Sequence, residues 1–586
     1  MTNAEIAAVF ARIALILDLK NENPFRVRAY ERAAMMIEKL PTDLRKIYES
    51  GGLKELMELP GIGKDLAEKI GEMVTTGKLV YLSQIEKKVP KGLLEIMEIE
   101  GVGPKKTKQL WEKFRVKSIP ELTKLAASGK IAKLAGWGEK SVENLLRGID
   151  QRSRMKGRLP IGEVRDLAQN IVEKLRRTKL CSQVEIAGSL RRGRDTIGDL
   201  DFLVASTKPH EVMEAFCRLP EVESITAKGE TKSTVFLKAG LDADLRVVDA
   251  EVFGAAHHYF TGSKDHNVHI RRIGIEKGLT ISEYGVYKGT AKNKGKLIAS
   301  RTEEDVYKAV GLPFIAPELR EDRGEIEAAQ RGELPALIGE SDLRSDLHMH
   351  SLVSDGTASI EEMARAGKER GFTYIAMTDH ASPMGMVKGI KDTHRSLEQY
   401  LSKISDARRK VPDIHILAGS EVDILKDGSL YLPDELLKEL DFVIASIHQN
   451  FHDSPEANTK RLIRACENPY VHALGHPTTR LLGKRMGIEF DVEAVLKAAK
   501  ENDVWIELNA SHERLDLPDV HLKRAKELGL KILIGSDAHS TKGLDYGFGM
   551  MQARRGWLEK KDVVNCLPWK EFERILRKPD SRASNM

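Results

Sequence analysis

The sequence predicts a multidomain chain of mixed α/β and α+β architecture, and three observations lead there. The chain has 586 residues, more than one hydrophobic core usually holds. Its first 150 residues contain G-x-G turns flanked by helical patterns. Its last 240 or so residues contain short apolar runs that close on imidazole or carboxylate: YIAMTDH (374–380), FVIASIH (442–448) and ILIGSDAH (532–539). Buried parallel strands read as such runs. Residues just past them sit at the carboxyl-end rim, where α/β active sites assemble.

Composition is that of a soluble globular protein, with 41% hydrophobic and 31% charged residues. No apolar run reaches membrane-spanning length. The opening MTNAEIAAVFARIALILDLKNENP reads as an amphipathic helix rather than a signal peptide. Cys181, Cys217, Cys466 and Cys566 form neither a CxxC nor a disulfide framework. A reducing, cytoplasmic setting without a membrane partner is expected. The net charge of +5 hides an asymmetry, because residues 1–300 carry 52 Lys and Arg against 40 Asp and Glu. That half is the candidate for a polyanionic partner.

Three segments of the first half rhyme: LPGIGKDLAEKI (59–70), IEGVGPKKTKQL (99–110) and LAGWGEKSVENL (134–145). The glycines permit a tight turn, and the amides of the following helix start point outward toward a phosphate. A dinucleotide-binding reading fails, since no third Gly follows in place and the flanks are helical. The segments resemble helix-hairpin-helix motifs, which grip DNA phosphates without reading sequence. That resemblance makes Gly61, Gly63, Gly101, Gly103 and Lys105 DNA-binding candidates. Trp137 in the third loop departs from the pattern.

The next segment, EIAGSLRRGRDTIGDLDFLVAS (185–206), sets Asp199 and Asp201 at the start of an apolar strand. Period-two geometry puts both carboxylates on one face. Asp244 opens another apolar stretch in LDADLRVVD (241–249). Two Asp on one strand and one on its neighbour can hold two Mg²⁺ at a phosphoryl-transfer centre. An isolated D-x-D often marks an ordinary turn; G-S, R-R-G and G-D-L-D within fourteen residues do not.

This stretch, with HHYFTGSKDHNVHIRRIGIEKGLTISEYGVY (257–287), resembles the nucleotidyltransferase fold of family X DNA polymerases, of which DNA polymerase beta is a well-known member. The resemblance implies that Gly188, Ser189 and Arg192 meet an incoming triphosphate. Tyr259, Phe260 and Gly262 would line the sugar site, Asn267 would touch the base, Arg271 the template side, and Glu283 would support a closed lobe. It implies that a primer 3′-oxygen attacks in line at the α-phosphorus, with Asp244 assisting its deprotonation and Asp199 and Asp201 bridging Mg²⁺ or Mn²⁺. Lys264 departs from the beta enzyme, which has Asp there. Residues 1–80 resemble the lyase domain of the same enzymes through PFRVRAYERAA (24–34) and the first G-x-G segment. Lys69 is in register with the Schiff-base lysine, with Arg26, Arg28 and Tyr30 as candidate pocket residues. Asp65 stands where the beta enzyme has a second Lys, and an acid there favours the charged ammonium over the nucleophile.

The last 240 residues carry His348, His350, Asp355, His380, Glu421, His448, His476, Asp537 and His539, and twelve of the seventeen His lie beyond residue 340. Nitrogen and oxygen ligands in such density suit Zn, Mn or Fe. The order and spacing resemble the PHP (polymerase and histidinol phosphatase) family of trinuclear phosphoesterases. By that resemblance one ion takes His348, His350, Glu421 and Asp537. A second shares Glu421 and adds His448 and His476, and a third takes Asp355, His380 and His539. Hydrolysis of a phosphoester is the implied reaction.

The combined resemblance implies a lyase-like helical domain (1–85), helix-hairpin-helix fingers (86–150), a nucleotidyltransferase palm (151–250) and a small α/β thumb (251–318). An acidic linker with a helical segment (319–340) and a distorted (β/α)7 PHP barrel (341–575) complete it. The implied work is filling gaps in gapped or nicked duplex DNA with dNTPs during base-excision repair, as a monomer. The PHP domain would add 3′–5′ exonuclease and possible AP-endonuclease activity. Two alternatives are a polymerase tethered to a small-molecule phosphatase acting on a substrate such as histidinol phosphate, and a non-catalytic DNA-binding scaffold.

Overall fold

The computed structural model describes all residues except 2, 39, 41–43, 60, 88, 98, 100–101, 135, 140, 143–144, 147–148, 150–156, 291, 384–388 and 577–586. It divides into two compact units, Met1–Lys156 and Gly157–Met586.

The first unit is helical. Its opening helix, Asn3–Leu19, buries Ile6, Phe10, Ile13 and Leu17, the spacing expected of one apolar stripe. The G-x-G turns end in helix starts. Gly63 caps Lys64–Thr76 and Gly103 caps Pro104–Phe114, both in extended conformation and neither helped by a side-chain bond. The first amides of each helix therefore lack a side-chain acceptor. Gly61 has φ 81°, a conformation that disfavours any side chain. Gly101 lies outside the described residues. Trp137 of the third loop is buried, donates to Gln109 Oε1 at 2.8 Å and carries Lys106 over its ring, so it serves packing.

In the second unit, a five-stranded sheet runs in the order Gln183–Ile186, Asp199–Ala205, Asp242–Val248, Lys232–Leu237, Val222–Lys228. Its core packs against the helices Ile161–Arg177 and Pro209–Cys217. Next comes a lobe with the helices Lys264–Glu276 and Glu303–Ala309 and an antiparallel sheet of Leu279–Ser282, Gly285–Thr290 and Asn293–Ala299. Glu283 sits in the turn between its first two strands.

The C-terminal part is a nearly closed parallel barrel. Its strands are arranged in the order Ser345–Asp346, Tyr374–Met377, His415–Asp423, Phe442–Ser446, Ala473–Leu474, Trp505–Asn509, Ile532–Gly535. A parallel bridge between Met349 and Ala538 brings the first and last strand ends together. The apolar runs are these strands, buried along almost their whole length because helices or neighbouring strands cover both sides.

The acidic linker at 319–340 contains the expected helical segment, Glu325–Arg331, and several of its charges are paired. Arg320 is fully buried and donates to Glu303 Oε1 at 2.6 Å. Glu318 accepts from Arg554, Glu321 from Arg192 and Arg555, and Glu325 accepts the amides of Asp322 and Arg323. Most of these acids thus meet arginines that lie far away in sequence.

Candidate active sites

The first site forms on the five-stranded sheet. Asp199 pairs with Asp242 and Asp201 with Asp244 across parallel strands, so Asp199, Asp201 and Asp244 share one face at the strand starts. Burial, then Asp199 and Asp244, push the Asp201 carboxyl up to about 7. Three carboxylates so arranged repel one another and fit divalent cations. Gly188, at φ 59°, lies so close to Asp201 that a Cβ there would overlap Oδ2. The glycine is thus required by contact as well as by conformation. Two residues missed in the sequence orient Asp244: Thr234 donates to Oδ1 at 2.6 Å and Lys232 approaches Oδ2 at 2.7 Å. Both lie on the neighbouring strand, and only its antiparallel register brings them there.

The turn after Gly188 leaves Ser189 Oγ buried without a hydrogen-bond partner. Arg192 donates to Thr261 O at 2.5 Å, beside Gly262, and to Glu321 Oε1 at 3.1 Å. Tyr259 and Phe260 pack edge to face at 5.1 Å, and Arg246 covers Phe260 at 4.5 Å. Asn267 donates to Tyr259 O at 2.7 Å, and Arg271 donates to Asn267 O at 3.2 Å. Gly188, Ser189 and Arg192 thus lie on one turn, Tyr259 and Phe260 on the helix Phe253–Thr261, Gly262 at its end, and Asn267 and Arg271 on the helix Lys264–Glu276. Lys264 is exposed at the start of its helix.

In the first unit, Lys69 is only 13% exposed and its Nζ lies 2.5 Å from Asp65 Oδ1. Tyr81, not anticipated, carries both Lys69 (5.1 Å) and Arg26 (5.4 Å) over its ring and stacks on Tyr30. Arg28 is exposed. The amine is thus pocketed but ion-paired.

The second site gathers all nine imidazole and carboxylate residues at the barrel mouth. Three groups have ligand atoms within 4.8 Å of one another: His350, Asp355, His380 and His539; His348, His350 and Asp537; and His380, Glu421 and His448. His476 Nε2 lies 2.8 Å from Glu421 Oε1. Glu421 Oε2 lies 3.5 Å from His348 and 3.7 Å from His350. The grouping is less divided than the family pattern implies, because His350 and His380 each face two groups. Backbone geometry is unusual here: Asp537 has φ 55° and His476 φ 27°, positions L-residues seldom occupy outside functional sites.

Polar atoms buried without hydrogen bonds include both carboxylate oxygens of Glu421 and the Nε2 atoms of His348 and His350. Buried carboxylate oxygens and imidazole nitrogens that converge without hydrogen bonds fit bound cations. Burial alone would raise Glu421, yet His448, His348 and His380 hold it well below the usual carboxylate range. Asp537 is held low in the same way by His348, His350 and His539.

Around the nine lies a layer the sequence reading missed. Glu507, fully buried, accepts from His348 Nδ1 at 2.6 Å, and Asp423 pairs with His448 Nδ1 at 2.7 Å. Asn509 donates to Asp537 Oδ2 at 3.0 Å, and Arg514 Nε lies 3.4 Å from the same oxygen. Such partners fix ring tautomer and ligand direction. Their signal was present: Glu507 and Asn509 alternate inside the apolar run WIELNA, as Glu421 and Asp423 do in SEVD.

Known proteins match this chain part by part. Residues 1–79 match the helix-hairpin-helix domain family and 93–150 the SAM-like helix-hairpin-helix tandem. Residues 158–276 match the DNA polymerase beta palm, 256–321 the DNA polymerase beta thumb and 346–511 the PHP domain. The DNA polymerase/3'-5' exonuclease PolX of Bacillus subtilis is 37% identical over 583 residues, covering 99% of this chain and 100% of that one. A probable phosphatase of Thermoanaerobacter sp. is 37% identical over 205 residues, 33% of this chain and 78% of its own. One of Caldicellulosiruptor bescii is 33% identical over 207 residues, 34% of this chain and 80% of its own.

Proposed function

This chain belongs to the family X DNA polymerases that carry a C-terminal PHP domain, and on that footing we propose that it fills short gaps in duplex DNA during base-excision repair and trims 3′ ends at its barrel. It is a DNA-directed DNA polymerase with a 3′–5′ exonuclease domain. The observation that carries this reading is the joint presence of two full acidic and imidazole sites on one chain that matches its relative end to end. Gapped or nicked duplex and dNTPs are its substrates. The chain acts as a monomer in the cytoplasm, and no described helix is long and apolar enough to cross a membrane.

At the palm, Asp199, Asp201 and Asp244 would hold Mg²⁺ or Mn²⁺. Gly188, Ser189 and Arg192 take the triphosphate, and Arg192 exchanges Glu321 for it. Tyr259, Phe260 and Gly262 shape the sugar site, while Asn267 and Arg271 address the base and template. Asp244, oriented by Thr234 and Lys232, accepts the proton of the primer 3′-hydroxyl as that oxygen bonds to the α-phosphorus and the bond from the α-phosphorus to pyrophosphate breaks. At the barrel, the nine residues His348 to His539 would hold up to three Mn²⁺, Zn²⁺ or Fe ions. Bound ions supply Lewis acidity and a nucleophile near neutral pH. The surrounding Glu507, Asp423 and Asn509 keep the ligands aimed. Gly61, Gly63, Gly101, Gly103 and Lys105 contact phosphates along the duplex. The barrel also supplies the AP-endonuclease activity, cutting the backbone at abasic sites.

One gel tests the reading. A labelled one-nucleotide-gapped duplex should be extended with dNTPs and shortened from its 3′ end without them. A parallel arm with p-nitrophenyl phosphate addresses the rival small-molecule phosphatase. Hydrolysis there with an intact DNA 3′ end would favour the rival.

Lys69 gives a separate expectation. Borohydride should trap the protein on a 5′-deoxyribose-phosphate end, slowly, because Asp65 holds the amine in an ion pair. Asp65→Asn should raise the trapping rate a few fold and Lys69→Ala should remove the adduct. Equal trapping by Lys69→Ala would move the nucleophile elsewhere.

A further inference from the structure

The polymerase palm and the barrel meet without slack. A Cβ on Gly162 of the palm would lie 2.6 Å from the His512 ring of the barrel, and Leu515 of the barrel is part of the palm's own hydrophobic core. Inside this interface, Asp195 extends from the palm loop that bears Arg192 and Arg194. Its Oδ2 lies 2.9 Å from Nη1 of Arg480, a barrel residue whose side chain is 12% exposed. The same guanidinium donates through Nε to Arg514 O at 2.8 Å and through Nη2 to Leu515 O. Arg514 then reaches the metal centre, with Nε 3.4 Å from Asp537 Oδ2.

The consequence for Asp537 is geometric. Asn509 and Arg514 both occupy Oδ2. That leaves Oδ1 facing His350 Nε2 at 3.2 Å and His348 Nε2 at 3.8 Å. Moving the 514–515 backbone would release one of the two groups that pin this carboxylate, on a residue already held at positive φ. Arg480 makes three bonds from one rigid fork, which a shorter or neutral side chain cannot reproduce.

We propose that Asp195 and Arg480 are positioning residues of the barrel's metal centre: the palm carboxylate holds the guanidinium that fixes the 514–515 backbone, and through Arg514 it aims Asp537 at the ions. The palm is thereby part of the exonuclease site. The inference rests on the barrel being a metal-dependent 3′-end hydrolase.

The test uses the full chain. Manganese binding is titrated in an Asp201→Ala background, where the barrel is the remaining site. Partners one layer out from a metal typically contribute 10–100-fold to affinity or activity. One link further, Arg480→Gln should weaken manganese binding and lower kcat for 3′ shortening about tenfold, and Asp195→Asn about threefold. KM for the DNA end should stay within twofold, Asp195→Glu should recover most of the loss, and gap filling by the single variants should match wild type. Unchanged manganese affinity in both variants would overturn the inference. So would gap filling that falls in step with 3′ shortening, since that would mean general loosening of the interface. Absence of 3′ shortening in wild type would remove the proposed activity, and the manganese titration would still decide the positioning claim.

Discussion

Asp201→Ala should eliminate nucleotide insertion, by about 10³-fold or more, while 3′ shortening should stay within twofold of wild type. The acidic face holds all three carboxylates of the palm, and Asp201 is the one flanked by both others. Removing it takes away charge stabilisation worth several kcal/mol in the transition state, and each 1.4 kcal/mol is tenfold in rate. The barrel keeps its nine residues. The substitution only removes atoms beside Gly188, so the fold should persist. Its stability gives an independent check. Asp201 is raised to about 7 in the folded chain from an ordinary carboxylate value of 3.8. Without divalent ions, its neutral form is therefore favoured on folding. The stability this gives is complete below pH 4 and is lost as pH rises through 7. In EDTA, the wild-type melting temperature should fall over that window more steeply than that of Asp201→Ala. Insertion at near wild-type rate by the variant would refute the assignment of the palm site, whatever the melting curves show.

Much of both sites was legible in the sequence for a simple reason. Their ligands sit at the ends of short buried strands, and a buried strand is an apolar run that stands out against polar neighbours. Asp199 and Asp201 could be placed on one face from period two alone, and Asp244 from a second run of the same kind. Residues that act across strands were not legible. Lys232 and Thr234 look like ordinary members of an alternating strand until the antiparallel register sets them beside Asp244. Glu507 and Asp423 lie inside apolar runs, where a lone acid reads as an interruption rather than as a partner for His348 and His448. Asp195 and Arg480 are 285 residues apart, and no local pattern connects them. The helical segment of the acidic stretch was legible and is Glu325–Arg331, but the arginines that its acids meet were not, because Arg192, Arg554 and Arg555 lie far along the chain. The sharing of His350 and His380 between groups also depends on ring orientation, which spacing does not encode.

Glu421→Ala, His350→Ala or Asp537→Ala should strip metal from the barrel and end 3′ shortening, with gap filling in Mg²⁺ retained. Glu421 is the most connected carboxylate: His348, His350, His380, His448 and His476 all lie within 3.7 Å of its oxygens. It is fully buried, and the imidazoles of His448, His348 and His380 hold it ionised, so it is the charge around which cations would gather. His350 faces two of the three groups, and Asp537 joins one of them. Losing Glu421 or His350 should disturb more than one ion, losing Asp537 frees His348 and His350 of their shared carboxylate, and the loss of 3′ shortening should exceed about 10³-fold in each. A single-group residue offers the contrast. His539→Ala touches only the group formed with His350, Asp355 and His380, so it should release less metal and leave a measurable residue of activity. The six imidazoles also set the choice of ion. Nitrogen-rich sites favour Mn²⁺ and its transition-metal neighbours over the harder Mg²⁺, so 3′ shortening should respond to Mn²⁺ far more than to Mg²⁺. The palm, built from carboxylates alone, should work with either. Metal analysis of the variants, alongside both assays at matched Mn²⁺ and Mg²⁺, separates the two sites by ion as well as by residue. A His350→Ala protein with wild-type metal content and undiminished 3′ shortening would rule the barrel out as the hydrolytic centre.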